Sequence, residues 1–276
     1  MSMIAILIST KDPAGMNIKE HLLAEESWEK SEEIFDNHPV YQKNSTKMYT
    51  TDQSIITYEH VDKNIHADFF ICPTKHQSQS GIPSLTCHTP GNWGEASFGG
   101  KEKFLCLSHA RAQSFTYLLL KKNKEQSILH NFDVIMEATH HGPEIQSPIM
   151  FIEIGSTENE WSIPEAGKVI AKTIMELISF LPEISSQFQE IAIGIGGTHS
   201  CSNFTKVLVR NNIAIGHVCP KYSLPQLDIN MIQQAIEKSN ATMVLLDWKG
   251  LGSEKKRIVE MLHAAKIPFE RTDQLK

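Results

Sequence analysis

The chain has 276 residues, of which 41% are hydrophobic and 21% charged, and its formal net charge is −6. This length can bury a full core, either as one large domain or as a core with a smaller appendage. The negative charge excludes the overall basic field of a broad nucleic-acid binder, and the apolar runs of the sequence are too short for a membrane span. Five scattered cysteines without Cys-x-x-Cys spacing exclude a secreted disulfide scaffold and a structural zinc ribbon.

The first part of the chain has the pattern of an α/β domain. The residues at the start lack a basic region and a cleavage site, so we expect no signal peptide and a cytoplasmic protein. The predicted elements are a strand at residues 3–9, a helix at 16–28, a turn-rich link at 35–41, a hairpin of strands 47–51 and 54–58, and a strand at 68–72 that ends at Pro73.

Residues 75–100 show little periodicity and are rich in Gly, Pro, Ser, Thr and His. A structureless loop of about 25 residues is uncommon in a compact domain, and it is usually either functional or disordered. Trp93 and Glu95 stand among glycines in this segment, a composition that argues against disorder. We therefore interpret residues 75–100 as a substrate-facing loop.

A strand at 104–107 and a helix at 110–122 lead to two further strands, at 132–139 and 150–155. Only about ten residues join these two strands, which is too few for a helical crossover, so we expect antiparallel neighbours. That pairing would place Glu137 opposite Glu153. Two carboxylates so placed cannot both ionise freely, so the pKa of one should rise.

The rest of the chain alternates helices and strands. The predicted elements are a helix at 161–180 capped by Ser162, a strand at 191–195, a short helix from Asn203, a strand at 213–218, a helix at 228–239, a strand at 241–247, a helix at 253–265 and a last strand near Phe269. This order predicts an α/β fold with a mixed sheet. We place a catalytic core at residues 1–225, including the 75–100 loop, and a C-terminal α/β extension packed on it at 226–276.

Polar side chains gather where three of these strands end. Glu137, His140 and His141 follow one strand, Glu153 lies in the next, and His199 follows a third. Rigid scaffolds present reactive groups at such junctions. We predict these five residues to be catalytic.

The turn Gly194-Ile195-Gly196-Gly197 invites a nucleotide-binding interpretation, but its motif is incomplete. No Lys-Ser/Thr pair follows, and His199 occupies the position of the last glycine of Gly-x-Gly-x-x-Gly. The glycines still allow a ligand to approach the backbone closely, where free N–H groups could bind a phosphate or a developing oxyanion. A tight turn without any ligand is the alternative.

The histidines and carboxylates allow two kinds of chemistry. They are the donors that a catalytic zinc accepts, but their spacing matches no established ligand signature. General acid–base work without a metal fits them equally well. The sequence has no Gly-x-Ser-x-Gly elbow and no cysteine in a nucleophile setting, so attack by an activated water is favoured over a covalent acyl-enzyme.

Several segments in a fixed order resemble the archaeal and plant type of D-aminoacyl-tRNA deacylase, nearly end to end. They are Met16-Asn17-Ile18, Pro39-Val40-Tyr41, Leu85-Thr86 with His88, Gly91-Asn92-Trp93-Gly94-Glu95-Ala96, residues 137–143, residues 151–156 with Glu158 and Trp161, residues 194–197 with His199, His217 with Pro220-Lys221-Tyr222, and Asp247-Trp248-Lys249-Gly250. The departures are Lys75 for an arginine before His76, His38 for an asparagine, and Ser200 for an aromatic residue.

The resemblance implies a three-layer, mixed-sheet core of the phosphorylase/hydrolase-like kind with an extra C-terminal α/β subdomain. It also implies hydrolysis of the ester that links a D-amino acid to the tRNA 3′ end, with zinc as cofactor. The expected partner is the acceptor end of D-aminoacyl-tRNA. DNA and membrane partners are not expected, and the chain is taken to be a monomer.

Within this resemblance, roles can be assigned to single residues. The expected substrate-binding residues are His88, Asn92, Trp93, Glu95, Gly196, Gly197 and Lys221. Trp93 would stack on the terminal adenosine and Glu95 would hold the α-amino group, while His88, His140 and His199 are the expected metal ligands. Two alternatives stay open: a zinc aminopeptidase or amidohydrolase on a similar core, and a non-catalytic protein that binds the tRNA acceptor end.

Overall fold

The computed structural model describes residues 3–25 and 27–275. Its strands are β1 (Ile4–Ser9), β2 (Glu29–Phe35), β3 (His38–Lys43), β4 (Thr46–Thr51), β5 (Phe69–Gln77), β6 (Ser84–His88), β7 (Gly91–Asn92), β8 (Phe104–Leu105), β9 (Asp133–Met136), β10 (Ile149–Ser156), β11 (Glu190–Ile195), β12 (Ile213–Cys219), β13 (Met243–Leu246) and β14 (Phe269–Arg271).

The α-helices are α1 (Pro13–Glu25), α2 (Ala110–Glu125), α3 (Glu158–Trp161), α4 (Pro164–Phe180), α5 (Ser202–Asn211), α6 (Ile229–Ser239) and α7 (Lys255–Ala264). Short 3₁₀ helices lie at Ile55–Thr57, Val61–Lys63, Leu181–Ser186, Lys221–Gln226 and Gly252–Glu254. Within the described ranges 3–25 and 27–275, no helix has the length and apolar character needed to cross a membrane.

A large mixed sheet carries the order β2-β3-β4-β1-β5-β10-β6-β9. Its centre is parallel, since β1 pairs in parallel with β4 and β5, and β5 pairs in parallel with β10. Strand β6 is antiparallel to β10 and parallel to β9. Every residue of β1 and β10 is buried, as expected for central strands covered on both faces.

The two faces of this sheet pack into different cores. Ile6 and Ile8 of β1 join the core under α1, α2 and α4, whereas Ala5 and Leu7 join a second core on the opposite face, beneath the 3₁₀ helices near residues 55–65. Alternate residues of a strand point to opposite faces, so one apolar strand supplies both layers. The mixed-sheet, layered α/β fold is thus confirmed.

A second, four-stranded parallel sheet has the order β12-β11-β13-β14 and packs with α6 and α7 around its own core. It is the additional C-terminal sheet expected from the resemblance. Its strands come from both sides of residue 225, so the predicted division into 1–225 and 226–276 does not follow the sheet. That division stays a prediction.

Three local predictions were wrong. Residues 54–58 contain a 3₁₀ helix, and the antiparallel partner of β4 is β3, which occupies the expected turn-rich link. Pro73 does not end its strand, since β5 continues to Gln77. A proline lacks the N–H that a strand donates to its neighbour, but the pairing of β5 with β1 stops at Ile71. The missing N–H of Pro73 therefore faces no partner strand. The 75–100 loop contains the end of β5 and all of β6 and β7.

The insertion of β6 also changes the expected neighbours near the site. Strands β9 and β10 are not paired, because β6 lies between them. Glu153 is therefore opposite Thr74 of β5 and Thr86 of β6, and not opposite Glu137.

A further difference concerns α4, which begins at Pro164. Thr157 caps the N-terminus of the preceding helix α3 in a capping box with Glu160, and Ser162 is the C-cap of α3 and not the N-cap of α4.

Candidate active site

The segment that follows β9 joins the two sheets. The Glu137 amide donates to the Cys87 carbonyl of the large sheet, whereas the Ala138 amide donates to the His199 carbonyl at 2.8 Å. The Thr139 amide then donates to the carbonyl of Val218 in the second sheet, at 3.0 Å. Residues 137–139 therefore bring the ends of β6, β11 and β12 together at one place.

Thr139 is fixed by a buried imidazole. Nε2 of His217 donates to the Cys106 carbonyl at 2.9 Å, so Nδ1 of His217 is an acceptor for the Thr139 hydroxyl at 3.0 Å. Burial lowers the pKa of His217 to about 4, which keeps the ring neutral and this arrangement intact. These contacts attach the segment that contains Glu137 and His140 to β12.

Glu137 lies at the centre of the site and is almost fully buried. Its Oε2 accepts a hydrogen bond from Nε2 of His199 at 2.9 Å and lies 3.6 Å from Nε2 of His140. Its Oε1 lies 3.1 Å from Nδ1 of His76. Three imidazoles thus surround one carboxylate.

His76 also contacts the second carboxylate. Its Nδ1 lies 3.5 Å from Oε2 of Glu153, and the Thr74 hydroxyl donates to Oε1 of Glu153 at 2.7 Å. Gly155 provides the space for the imidazole, because a Cβ atom there would lie 2.7 Å from Cδ2 of His76. His76 therefore bridges Glu137 and Glu153, which the sequence had placed face to face.

The two carboxylates have different electrostatic surroundings. Burial alone raises the pKa of Glu137, but His199 and His76 outweigh it and hold that pKa well below its usual range. For Glu153, burial together with the charge of Glu137 outweighs His76 and Thr74 and raises the pKa to about 7. The direction agrees with the predicted rise of one carboxylate pKa, but burial contributes more to it than the like charge of Glu137.

His76 is the positive partner of the pair. Burial opposes its protonated form, but the adjacent Glu137 and Glu153 carboxylates outweigh that effect and raise its pKa to about 10. At neutral pH the group therefore contains an ionised Glu137, a protonated His76 and a Glu153 near its titration midpoint. Paired groups with pKa values driven apart in this way are typical of acid–base sites.

A second cluster contains His88, His140 and His141. Their rings are in contact, and Nε2 of His88 lies 3.1 Å from Nε2 of His141. Burial lowers the pKa of His140 to about 4 and that of His141 to about 3, and it holds the pKa of His88 well below its usual value. His141 has a φ of 46°, a strained conformation for a residue with a side chain. The three rings are neutral at physiological pH.

Three sets of donor atoms in the described part of the chain are close enough together to hold a metal ion. They are His88 with His140 and His141, Glu137 with His140 and His199, and His76 with Glu137 and Glu153. The predicted ligands His88, His140 and His199 are therefore divided between two sets that share His140.

A cavity of about 960 Å³ opens onto both clusters. Its catalytic end is lined by His76, His140, His141, Glu153 and His199. The cavity is also lined by Lys11, Lys75, Phe98 and Trp161, among others, of which Lys11 and Phe98 are exposed. The cavity is large enough for an aminoacyl group together with a nucleoside.

The residues expected to hold the substrate's nucleoside end have mainly structural contacts. Trp93 is only 3% exposed, and its indole N–H donates to the Val218 carbonyl at 3.2 Å. This burial argues against the stacking role predicted for Trp93. The Asn92 amide donates to the carbonyls of Gly99 and Lys101, whereas Glu95 is exposed. None of Asn92, Trp93 and Glu95 lines the cavity.

The glycine turn after β11 is also engaged with protein groups. Gly196 and Gly197 have φ values of 96° and 82°, which favour glycine. The Gly196 amide donates to the Cys219 carbonyl, and the Gly197 carbonyl accepts from the amide of Lys221, whose side chain is exposed. A Cβ atom on Gly197 would lie 2.8 Å from Oδ2 of Asp247. The turn aligns β11, β12 and His199, and its Gly196 N–H is not free for an oxyanion.

Sequence reasoning missed His76, which stands within the segment interpreted as a loop. The signal was a polar alternation after Pro73, where Thr74 and His76 share the side of β5 that faces Glu153. It also missed Tyr222, whose hydroxyl lies 3.0 Å from Nδ1 of His199. Because Nε2 of His199 donates to Glu137, Nδ1 can accept the hydrogen bond of the Tyr222 hydroxyl, and the two contacts together select one tautomer of the ring.

A layered α/β scaffold with a buried carboxylate pair, a bridging imidazolium and a neutral histidine cluster at a deep cavity defines a hydrolytic enzyme. The sequence profile of the D-aminoacyl-tRNA deacylase family matches residues 63–270. A D-aminoacyl-tRNA deacylase from Thermococcus kodakarensis is 36% identical over 263 residues, which cover 92% of this chain and 94% of the relative. One from Methanocaldococcus jannaschii is 33% identical, covering 96% of this chain and 98% of the relative.

The structure is similar to the crystal structure of AF0625, a conserved protein of unknown function. The two superpose with a TM-score of 0.90 at 29% sequence identity, over 100% of this chain and 97% of the other. The chain belongs to the D-aminoacyl-tRNA deacylase family.

Proposed function

We propose that the protein hydrolyses the ester of D-aminoacyl-tRNA to a free D-amino acid and tRNA, and so removes D-amino acids from translation in the cytoplasm. The observation that carries this proposal is the Glu137–His76–Glu153 array at the end of a cavity of about 960 Å³, in a chain of this family. Family membership does not favour the aminopeptidase and the non-catalytic tRNA-binding alternatives.

Glu153 is the general base. It lines the cavity, and its pKa of about 7 leaves a substantial fraction ionised at neutral pH. The Glu153 carboxylate takes a proton from a water molecule while the water oxygen forms a bond to the ester carbonyl carbon. When the ester bond breaks, that proton passes to the ribose oxygen that leaves. One water is consumed, and an acid and an alcohol are formed.

His76 and Glu137 position this base. Protonated His76 lies 3.5 Å from Oε2 of Glu153 and 3.1 Å from Oε1 of Glu137, so it holds the two carboxylates in one place despite their like charges. Glu137 stays ionised and keeps the proton on His76. His199 donates to Glu137 and is held in turn by Tyr222, so it fixes Glu137 from the other side.

Zinc is the cofactor that the family resemblance implies, and His88, His140 and His141 fit it. Nδ1 of His140 faces the Ala138 carbonyl at 2.8 Å and Nδ1 of His141 faces the Gly142 carbonyl at 2.6 Å, so the lone pair of each ring is on Nε2; Nε2 of His141 lies 3.1 Å from Nε2 of His88. His88 lacks such support, because its buried Nδ1 has no hydrogen-bond partner. When bound, zinc supplies Lewis-acid polarisation of the ester carbonyl. We assign these three residues to hold it.

Hydrolysis of D-aminoacyl-tRNA and of the matching L-ester tests the proposal. We expect release of tRNA from the D-ester at a rate well above that from the L-ester, whereas equal rates would contradict the chiral assignment. The same sample is assayed before and after treatment with a chelator, and its metal content is measured. Activity that survives complete metal removal would contradict the zinc assignment and leave the activation of water by Glu153 intact.

A further inference from the structure

Phe98 is an exposed aromatic residue at the rim of the catalytic cavity. Its side chain is 71% exposed, and among the large apolar side chains exposed by residues 3–25 and 27–275 it is the one that lines this cavity. An exposed phenyl ring gains nothing from burial in the folded protein. Its position beside the catalytic groups therefore calls for a ligand.

The backbone of Phe98 is fixed to the catalytic segment. Its carbonyl accepts a hydrogen bond from the Gly142 amide at 3.0 Å, next to His141. The Gly100 amide donates to Oε1 of Glu59 at 2.7 Å. A Cβ atom on Gly142 would lie 2.2 Å from the Gly100 nitrogen, so the two backbones are in close contact there. Phe98 is thus presented from an ordered turn, and little conformational freedom is lost when a ligand binds it.

The same cavity carries two lysines together with the carboxylates of Asp12 and Glu158. Lys11 and Lys75 line it, and Nζ of Lys75 lies 4.7 Å from the ring centroid of Trp161. An aromatic platform combined with lysines is the arrangement that proteins use for unpaired nucleotides, in which bases stack and phosphates meet cations. Buried Trp93 cannot provide that platform.

We propose that Phe98 is the stacking platform for a nucleobase of the single-stranded tRNA 3′ end, with Lys11 and Lys75 facing its phosphates. This inference rests on the proposed deacylase function and assigns a substrate-binding role to a residue outside the catalytic array. The aminoacyl group occupies the inner end of the cavity beside Glu153 and His140, whereas the base lies outside at the rim.

The test compares steady-state hydrolysis of D-alanyl-tRNA and D-tyrosyl-tRNA by the wild type and by Phe98→Ala, Phe98→Leu and Phe98→Tyr. Ile128→Ala is the matched control, because Ile128 is 76% exposed and does not line the cavity. Inhibition by uncharged tRNA gives a binding constant that is independent of turnover. Thermal unfolding of each variant checks that the fold is retained.

For Phe98→Ala, we expect KM and the inhibition constant of uncharged tRNA to rise roughly 5- to 150-fold, equally for both esters, with kcat little changed. Phe98→Tyr keeps an aromatic ring and should have the wild-type constants. Phe98→Leu should have the raised constants of Phe98→Ala. The control Ile128→Ala should have the wild-type constants. Unchanged constants in Phe98→Ala would overturn the inference. Wild-type constants in Phe98→Leu would also overturn it, because leucine has no ring to stack. A rise of the constants for D-tyrosyl-tRNA alone would overturn it too, since Phe98 would then contact the aminoacyl side chain. Failure of the wild type to hydrolyse either ester would instead reject the proposed function.

Discussion

Replacing Glu153 with glutamine separates the catalytic role of this carboxylate from its effect on stability. The amide has nearly the same shape and can still accept the hydrogen bond that the Thr74 hydroxyl donates to Oε1 of Glu153. It cannot accept a proton from water. Loss of a general base costs about 10²- to 10⁴-fold in rate, so we expect a fall of at least two decades in kcat.

The same substitution should increase stability at alkaline pH. The folded protein keeps the Glu153 proton up to about pH 7, whereas the unfolded chain releases it near 4.5, so this group lowers the unfolding free energy as the pH rises through that window. The pKa difference corresponds to roughly 3 kcal/mol. Glutamine has no proton to release. Between pH 5 and pH 8, the unfolding free energy of Glu153→Gln should therefore rise relative to that of the wild type by up to about this amount.

Two measurements check this reasoning. Single-turnover hydrolysis of D-aminoacyl-tRNA between pH 5.5 and pH 9 should show a wild-type rate that rises through about pH 7, and the variant should lose this rise. Urea unfolding at pH 5 and pH 8 gives the two unfolding free energies. A variant that retains its rate within about tenfold would refute Glu153 as base. Equal pH dependence of stability in the two proteins would refute the raised pKa.

Two further substitutions test the groups around this base. His76→Gln removes the cation between Glu137 and Glu153. We expect the unfolding free energy at pH 8, measured by urea unfolding, to fall by about 3 kcal/mol. The rise of the hydrolysis rate with pH should move to higher pH in the pH–rate profile. Tyr222→Phe removes the partner of Nδ1 of His199; because Tyr222 is 58% exposed, stability should stay unchanged while kcat falls by up to about tenfold. An unchanged kcat in Tyr222→Phe would show that the tautomer of His199 is fixed without it.

Much of the site was accessible from the sequence because its residues stand at the ends of strongly apolar strands. Glu137, His140, His141, Glu153 and His199 were predicted from such strand ends, and the structure brings all five to one region. The expected direction of one carboxylate pKa also holds, since the pKa of Glu153 is raised by burial and, to a smaller extent, by the charge of Glu137. Both effects act on Glu153 whichever strands are paired, so the direction is right although the expected pairing was wrong.

The residues that sequence reasoning misplaced are those whose neighbours are remote in the chain. The aromatic character of Trp93 predicted stacking, but its indole is buried against Val218, 125 residues away. Phe98, in the same segment, is the exposed ring. A pattern of residue types near glycines cannot decide which of two aromatic side chains turns inward.

By itself, the sequence determined the layered α/β class, most helices and strands and the family, because periodicity and motif order are properties of the chain alone. Only the tertiary structure decided that β6 lies between β9 and β10, that His76 bridges Glu137 and Glu153, and that Gly196 and Gly197 align two strands. Strand order is set by which apolar faces pack together across the whole chain. The bridge between the two carboxylates follows from that packing, since His76 and Glu137 are separated by 61 residues of sequence but only 3.1 Å of space.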